Sequence, residues 1–100
     1  MNLSSGVAVP TETIAEICRG FHIRELAIFG SATRKDFQGN SDIDIMVEFQ
    51  PGFHPGLGWF DLEDQLQAAC GHKVYVVQKA LLRPRVRREA ERDAVIVYAS

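Results

Sequence analysis

Long apolar runs are missing from this sequence of 100 residues. No stretch approaches the roughly 20 apolar residues that a membrane helix needs. The first residues, MNLSSGVAVPTET, lack the basic start and the apolar centre of a signal peptide. From these two absences we expect a cytoplasmic protein without membrane contact.

Cysteine is scarce as well. Cys18 and Cys70 stand alone and match no metal-ligand spacing. We expect small buried thiols in a reducing compartment, although a single disulfide between them remains open.

A surplus of basic residues is also absent. The 11 Lys and Arg residues are outnumbered by 13 Asp and Glu residues, which gives a net charge of -2. A general nucleic-acid binder has a strongly basic surface, so we expect no direct nucleic-acid binding. Length and composition suit one globular domain. We therefore predict a single domain over residues 1–100, with residues 1–10 as a flexible tail.

The pattern of apolar residues predicts alternating helices and strands. We expect helices that end at Gly20 and Gly71, and a capping box formed by Thr13 and Glu16 near the start of the first helix. Helices are predicted from residue 11 or 13 to residue 20 and over residues 32–36, 59–70 and 80–93, the last at least from Pro84. Strands are predicted over residues 23–29, 42–49, 73–77 and 94–98. This order predicts an α+β fold, a small mixed sheet of about four strands with helices packed against it.

Two aspartates interrupt the strand predicted over residues 42–49, DIDIMVEF. Asp42 and Asp44 are two residues apart, so both side chains leave the same face of the strand, about 6–7 Å from each other. Carboxylates at this separation repel each other unless a cation lies between them, and Mg²⁺ prefers such oxygen ligands. A solvated strand face is the alternative, although aspartate is a poor strand former. Asp42 and Asp44 are therefore candidate metal ligands.

A Gly-Ser pair ends the preceding strand. Gly30 and Ser31 lie where that strand is predicted to turn into a helix, and backbone N–H groups at such a turn can bind an anion. Glycine also lets a phosphate approach the backbone closely. By itself a Gly-Ser pair is weak evidence for phosphate binding, since most such pairs lie in ordinary turns. A phosphate-binding turn that faces two metal-binding carboxylates, however, is typical of a site for a nucleoside triphosphate.

The combined spacing resembles a known family. Gly30-Ser31, ten further residues and Asp42-Ile43-Asp44 are similar to the signature of the DNA-polymerase-β-like nucleotidyltransferases. From IFGSATRKDFQGNSDIDIMVEF through KVYVV to RPRVRREAERDAVIVY, the chain resembles the minimal nucleotidyltransferase (MNT) proteins of bacteria and archaea. The resemblance implies the nucleotidyltransferase fold, ATP as substrate and Mg²⁺ as cofactor. It also implies an antitoxin whose partner is a HEPN-domain RNase toxin, neutralised by binding or by transfer of AMP to a toxin tyrosine.

The resemblance also assigns roles to individual residues. The family's catalytic, metal-binding carboxylates correspond to Asp42 and Asp44. Its nucleotide-binding positions correspond to Gly30, Ser31, Arg34 and Ser41. Arg34 could contact a phosphate, and a solvated helix charge is the alternative. For Ser41, capping of the loop is the simpler interpretation.

One position departs from the family pattern. Members often have a third carboxylate in the strand after the helix over residues 59–70, where this sequence has Tyr75. A neutral phenol neither binds a cation as a carboxylate does nor readily accepts a proton. Glu48 lies about 13 Å from Asp44 along the strand, which is too far for it to replace the missing third carboxylate. Two functions therefore stay open: an antitoxin that adenylylates its toxin, and a catalytically impaired module that masks it.

Two further features leave alternatives. A basic cluster, made of Arg83, Arg85, Arg87 and Arg88, can be a solvated helix face balanced by nearby acidic residues or a contact surface for an acidic partner. Trp59 and Phe60 are expected to pack in the core or at a helix start, and an interface is the alternative. A homo-oligomer is compatible with the sequence.

Overall fold

A computed structural model describes residues 1–39 and 41–100 of the chain. The elements of these residues are α1 (Thr11–Gly20), β1 (Ile23–Phe29), β2 (Ile43–Phe49), α2 (Gly58–Cys70), β3 (Val74–Gln78), α3 (Pro84–Asp93) and β4 (Val95–Ala99). Short 3-10 turns occupy Gly30–Thr33 and Lys79–Leu81. None of the described helices is long and apolar enough to cross a membrane.

The strands form one mixed sheet in the order β3-β2-β1-β4. β1 is antiparallel to both of its neighbours, β2 and β4, whereas β2 and β3 run parallel. This confirms the predicted α+β architecture. Because β1 and β2 are adjacent and antiparallel, the end of β1 lies beside the start of β2, with Phe29 paired to Asp44.

One face of the sheet packs against α1 and α2. Alternation along β2 points Ile43, Ile45 and Val47 to this face, where all three are buried. The helices contribute buried residues at helical spacing, namely Ile14, Ile17, Cys18, Leu62 and Leu66. Gly71 ends α2 in the left-handed conformation, as predicted. Trp59 packs at the edge of this core, with its ring 6.4 Å from that of Phe49.

The opposite face is covered in part by α3. Ala90 of α3 is buried against Ala27 of β1 and Met46 of β2. Pro84 begins α3, where its missing N–H costs no helical hydrogen bond. Asp44, two residues before Met46, lies on the same face, and it is only partly buried. The face that carries the aspartates is therefore apolar beneath α3 and polar at the start of β2.

Residues 1–10 are not a loose tail, contrary to the prediction. Leu3, Val7 and Val9 are buried in the main core. Gly6, with a φ of +89°, lets the segment turn back on itself. The three buried residues lie at odd positions, as on one face of a strand, but Ser-Ser-Gly interrupts the apolar pattern, so the sequence alone did not mark the segment as packed. Its order comes from burial against the rest of the fold.

The same segment contacts the turn that follows β1. The Ser5 hydroxyl donates a hydrogen bond to the carbonyl of Ala32, which is fully buried. A short bridge between Asn2 and Ala8 holds the two arms of the segment together. The N-terminal segment therefore packs against the Gly30–Thr33 turn and holds it through this hydrogen bond.

The predicted capping box does not form. α1 begins at Thr11, directly after Pro10, and its N-terminus has no side-chain cap. Thr13 is consequently inside the helix rather than at its N-cap. Pro10 favours a start here, since a proline disfavours the helical conformation of the residue before it.

The N-terminal packing is tested by Leu3→Ala. Truncation of this buried side chain should lower the free energy of unfolding by about 2 kcal/mol, because apolar contacts are lost and a cavity remains. The measurement is urea denaturation followed by circular dichroism. Ser4→Ala, at the exposed neighbouring position, is the control and should change stability by less than about 0.5 kcal/mol. Equal midpoints for both variants would mean that the segment is loose in solution.

Candidate functional site

The candidate residues meet where β1 ends and β2 begins. Phe29 is paired with Asp44 across the antiparallel strands, so the turn that starts at Gly30 lies beside this aspartate. On the other side, Tyr75 is paired with Asp44 across the parallel strands β2 and β3. Paired residues on neighbouring strands point to the same face of a sheet. Asp44 therefore has the turn on one side and Tyr75 on the other.

Gly30 is required by its conformation and by its neighbour. Its φ is +72°, a left-handed backbone that residues with a side chain rarely adopt. A Cβ at this position would lie 2.5 Å from Oδ2 of Asp44. The carboxylate thus occupies the space that a side chain would fill and packs directly against the backbone of the turn.

The turn itself is shorter than predicted. In place of a helix over residues 32–36, a single 3-10 turn spans Gly30–Thr33, and Arg34 is already extended, with a φ of -113° and a ψ of 157°. The Thr33 hydroxyl donates a hydrogen bond of 2.7 Å to the Gly30 carbonyl and closes the turn. Such a short element has little helix dipole, so any anion here must be bound by individual N–H groups. Ser31 is partly exposed on this turn.

The surroundings of Asp44 disfavour the ionised carboxylate when no cation is bound to it. Burial raises the pKa of Asp44, the neighbouring Asp42 charge raises this pKa further, and the Arg34 guanidinium lowers it in part. Asp42 is exposed and lies one residue before β2, which begins at Ile43 rather than at the predicted residue 42. The two aspartates repel each other across a site that is only partly solvated.

This donor set fits a divalent cation such as Mg²⁺. Two adjacent carboxylates supply oxygen ligands, and a cation between them would relieve the repulsion that raises the Asp44 pKa. Within residues 1–39 and 41–100, no group of three or more His, Cys, Asp or Glu side chains comes together to hold a metal ion. The protein therefore offers two carboxylates, and the other ligands of a cation would be water or phosphate oxygens.

Arg34 connects the turn to α3. Its Nη1 donates to Oδ2 of Asp93 at 2.8 Å, and its Nε donates to Oδ1 of Asp36 at 3.3 Å. About half of its side-chain surface is exposed, so these ion pairs add little stability. A cavity of about 260 Å³ lies between α3 and the turn, bordered by Phe29, Gly30, Arg34, Ala90 and Asp93 among others. The predicted phosphate contact of Arg34 remains a prediction, but its guanidinium lies beside the site.

Ser41 lies in the loop that precedes Asp42. It is partly exposed, and its backbone N–H donates to the carbonyl of Gln38 at 2.9 Å. The structure therefore gives Ser41 a place in a turn before β2. Its nucleotide-binding role remains a prediction.

Tyr75 occupies the place beside Asp44 where the third carboxylate was expected. Its side chain is 54% exposed, on a strand at the edge of the sheet. Glu48 does not compensate, because it lies toward the other end of β2 and pairs with Arg24 at 3.6 Å. The structure therefore brings Asp42, Asp44 and the turn together and adds a phenol rather than a carboxylate.

Two residues that support the site were not predicted from the sequence. Ser5, which supports the turn, is 27 residues from its partner Ala32, and Asp93, which pairs with Arg34, is 59 residues from it. No local pattern marks either residue, since a serine in a turn and an aspartate at a helix end are common. Only the folded chain identifies them.

The remaining candidates stay outside the site. In the basic cluster, Arg83, Arg85 and Arg88 are exposed, and Arg85 lies 3.7 Å from Glu89 on the same helix. Such a pair is typical of a solvated helix face, and the contact surface for an acidic partner stays a prediction. Phe60 is 65% exposed at the start of α2, unlike the packed Trp59. The core prediction for Phe60 is therefore wrong, while its place in the first turn of a helix is correct.

The chain is similar in sequence to known proteins. A family model described as "Polymerase beta, Nucleotidyltransferase" matches residues 12–100. Protein adenylyltransferase MntA of Thermococcus cleftensis is 33% identical over 84 residues, which are 82% of this chain and 82% of that protein. The matched segment contains the turn, both aspartates and Tyr75.

Solved structures share the fold. A chain of a toxin-antitoxin crystal structure with AMP-PNP aligns with a TM-score of 0.73 over 92% of this chain and 75% of that chain, at 19% identity. A chain of the complex between the tri-AMPylated Shewanella oneidensis HEPN toxin and MNT antitoxin aligns with a TM-score of 0.64 over 90% of this chain and 70% of that chain, at 18% identity. At these identities the likeness establishes the fold, and it confirms the predicted one.

Gly30→Ala tests the close approach between the turn and Asp44. The left-handed backbone alone should cost about 1–2 kcal/mol with an alanine. Displacement of the Asp44 carboxylate should add roughly 1 kcal/mol more. The free energy of unfolding is measured in urea. Gly71→Ala is the matched control, because its φ of +67° is similar and a Cβ there would meet nothing within 4 Å. Equal losses in the two variants would contradict the contact.

Asp44→Asn tests the electrostatic strain. Because the folded chain raises the pKa of Asp44, its favourable contribution is fully present below the unfolded value of roughly 3.9. That contribution is lost as the pH rises through the raised pKa. Asp44→Asn should therefore raise the unfolding free energy at neutral pH, and the gain should vanish at acidic pH. The measurement is urea denaturation across this range in buffer with EDTA. Asp64→Asn, at an exposed position on α2, should show no such gain.

Proposed function

The chain belongs to the polymerase beta nucleotidyltransferase family, and on this premise we propose that it is an antitoxin that binds Mg²⁺-ATP and a HEPN-domain toxin. In this proposal it neutralises the toxin by transferring AMP from ATP to a toxin hydroxyl, that of a tyrosine. The relative from Thermococcus cleftensis is named a protein adenylyltransferase. A structural neighbour is a complex of a tri-AMPylated HEPN toxin. Both support the proposal by similarity.

The observation that supports the proposal most is the contact between Asp44 and the Gly30 turn. It joins a backbone able to approach a phosphate with a carboxylate pair able to hold a cation. Neither feature alone is specific to nucleotides. Together they fit the two needs of a bound triphosphate, which are N–H donors for its oxygens and a divalent ion for its charge.

The proposed chemistry assigns a task to each side chain. The N–H groups of Gly30 and Ser31 orient the triphosphate, and Arg34 adds positive charge beside it. When bound between Asp42 and Asp44, Mg²⁺ would neutralise charge on the phosphate oxygens. The toxin hydroxyl oxygen forms a bond to the α-phosphorus, and the bond from that phosphorus to the bridging oxygen breaks. Pyrophosphate leaves, and the hydroxyl proton passes to water.

A second function is favoured by Tyr75. With a phenol beside Asp44 and no third metal-binding group in the described parts of the chain, a base for the incoming hydroxyl is missing from the expected place. The alternative is a module that masks the toxin by binding it. The two functions differ in a covalent product, so one assay separates them.

The test is the intact mass of a HEPN-domain toxin partner after incubation with this protein, ATP and Mg²⁺. We expect the toxin to gain one or more AMP units. The double variant Asp42→Asn, Asp44→Asn should reduce the gain to background, because the carboxylate pair is lost. A second double variant, Asp61→Asn and Asp64→Asn, removes the same charge from an exposed face of α2 and should transfer AMP like the unchanged protein.

The other outcomes are equally informative. A toxin that stays unmodified but is bound tightly and inhibited would establish the masking function. A toxin that is neither modified nor bound would contradict both functions. Transfer that persists in the Asp42, Asp44 double variant would remove these aspartates from the mechanism.

A further inference from the structure

A hydroxyl of this chain lies next to its own candidate site. Tyr75 is paired with Asp44 on the neighbouring strand, so its side chain leaves the same face of the sheet. Adjacent strands are about 4.8 Å apart, and a tyrosine hydroxyl extends well beyond that distance. The side chain is 54% exposed, and it is not tied down in the core. Its oxygen can therefore reach the space above Asp44.

The order of the strands places this hydroxyl on the side from which a nucleophile must come. Phosphoryl-type transfer needs the attacking and leaving oxygens roughly in line through the phosphorus. The Gly30 turn, which would hold the leaving phosphates, follows β1 on one side of Asp44. Tyr75, on β3, lies on the other side. The phosphate cradle and the phenol thus flank the carboxylate, about 10 Å apart by two strand spacings.

We propose that Tyr75 is an acceptor in its own right, and that the chain transfers AMP from ATP to its own Tyr75 hydroxyl. This inference rests on the proposed function, because the nucleotide is the one bound by that site. It gives the phenol a chemical role where the family pattern has a carboxylate. The modified residue would be a tyrosine carrying one AMP unit.

The step balances with ATP as the only co-reactant. The Tyr75 oxygen forms a bond to the α-phosphorus, and the bond from that phosphorus to the bridging oxygen breaks. Pyrophosphate leaves with the electron pair of the broken bond. The phenolic proton passes to water, to which more than half of the side chain is exposed. No oxidation or reduction takes place.

The product has a consequence for the site. An AMP group on Tyr75 would remain beside Asp44 and occupy the place of the next nucleotide. Each molecule therefore modifies itself once and then no longer binds ATP. Self-modification would therefore occur once per molecule, and it would then prevent that molecule from transferring AMP to a partner.

The experiment is incubation of the purified full chain with ATP and Mg²⁺, followed by intact mass measurement and tryptic mapping. We expect a gain of one AMP unit, located in the peptide over residues 74–79. That peptide, VYVVQK, contains Tyr75 as its one hydroxyl-bearing residue, so the assignment is unambiguous. Modification of another peptide alone would overturn the proposal.

Two tyrosine variants make the test specific. Tyr75→Phe keeps the ring on the exposed edge strand and should abolish the gain while leaving the circular dichroism spectrum unchanged. Tyr98→Phe is the matched control, since Tyr98 packs against the core on β4 and has no pairing with Asp44. It should be modified as fully as the unchanged chain. A persistent gain in Tyr75→Phe would refute the assignment.

A mixing experiment tests whether transfer occurs within one chain. Isotope-labelled Asp42→Asn, Asp44→Asn protein, which retains Tyr75, is combined with unlabelled Tyr75→Phe protein, ATP and Mg²⁺. We expect no AMP on the labelled chain. AMP on the labelled chain would mean transfer between copies and would overturn the intrachain step.

The toxin assay, run in parallel with the same protein preparation, separates this inference from the proposed function. A modified toxin with an unmodified Tyr75 would contradict the inference and leave the proposed function standing. Because a self-modified chain no longer binds ATP, the toxin assay is also run with the Tyr75→Phe protein. A modified Tyr75 in the unchanged protein, with a toxin that even the Tyr75→Phe protein leaves unmodified, would support the inference and contradict the choice of acceptor in the proposed function. If neither is modified, both transfer proposals fail.

Discussion

The antiparallel pairing of β1 with β2 brings the Asp44 carboxylate against the backbone of Gly30, and the rest of the site follows from this contact. Because the pairing register sets Phe29 opposite Asp44, the turn that follows Phe29 lies directly beside the Asp44 side chain. A shift by one residue would send Asp44 to the buried face, where an unpaired carboxylate is costly. The apolar alternation of β2 therefore protects the position of the aspartates as well as the core.

The ionised site costs some stability, and contacts from residues far along the chain position its turn. Burial and the Asp42 charge both raise the Asp44 pKa, which means that the ionised site is strained without a cation. The turn is supported from one side by Ser5, through the Ala32 carbonyl, and joined to α3 by the ion pair between Arg34 and Asp93. Functional sites commonly accept such local strain when a rigid scaffold surrounds them.

Tyr75 determines the chemistry beside Asp44. The phenol removes one expected ligand and places a nucleophile at an edge strand that other proteins can also reach. Because this edge strand is exposed, a partner hydroxyl could approach the site, and the Tyr75 hydroxyl would compete with it for the AMP group. Whether the chain acts on a partner, on itself or by masking thus depends on the chemistry at a single position beside Asp44.

The sequence by itself determined the local features. An apolar run located β1, period-two alternation located β2, the glycine at position 30 marked the turn, and the Asp-Ile-Asp pattern marked the carboxylates, since each depends on neighbouring residues alone. Only the tertiary structure decided that residues 1–10 are packed, that the predicted helix is a single 3-10 turn, and that Arg34 is joined to Asp93. These outcomes depend on contacts between residues far apart in the chain, which a local sequence pattern does not specify.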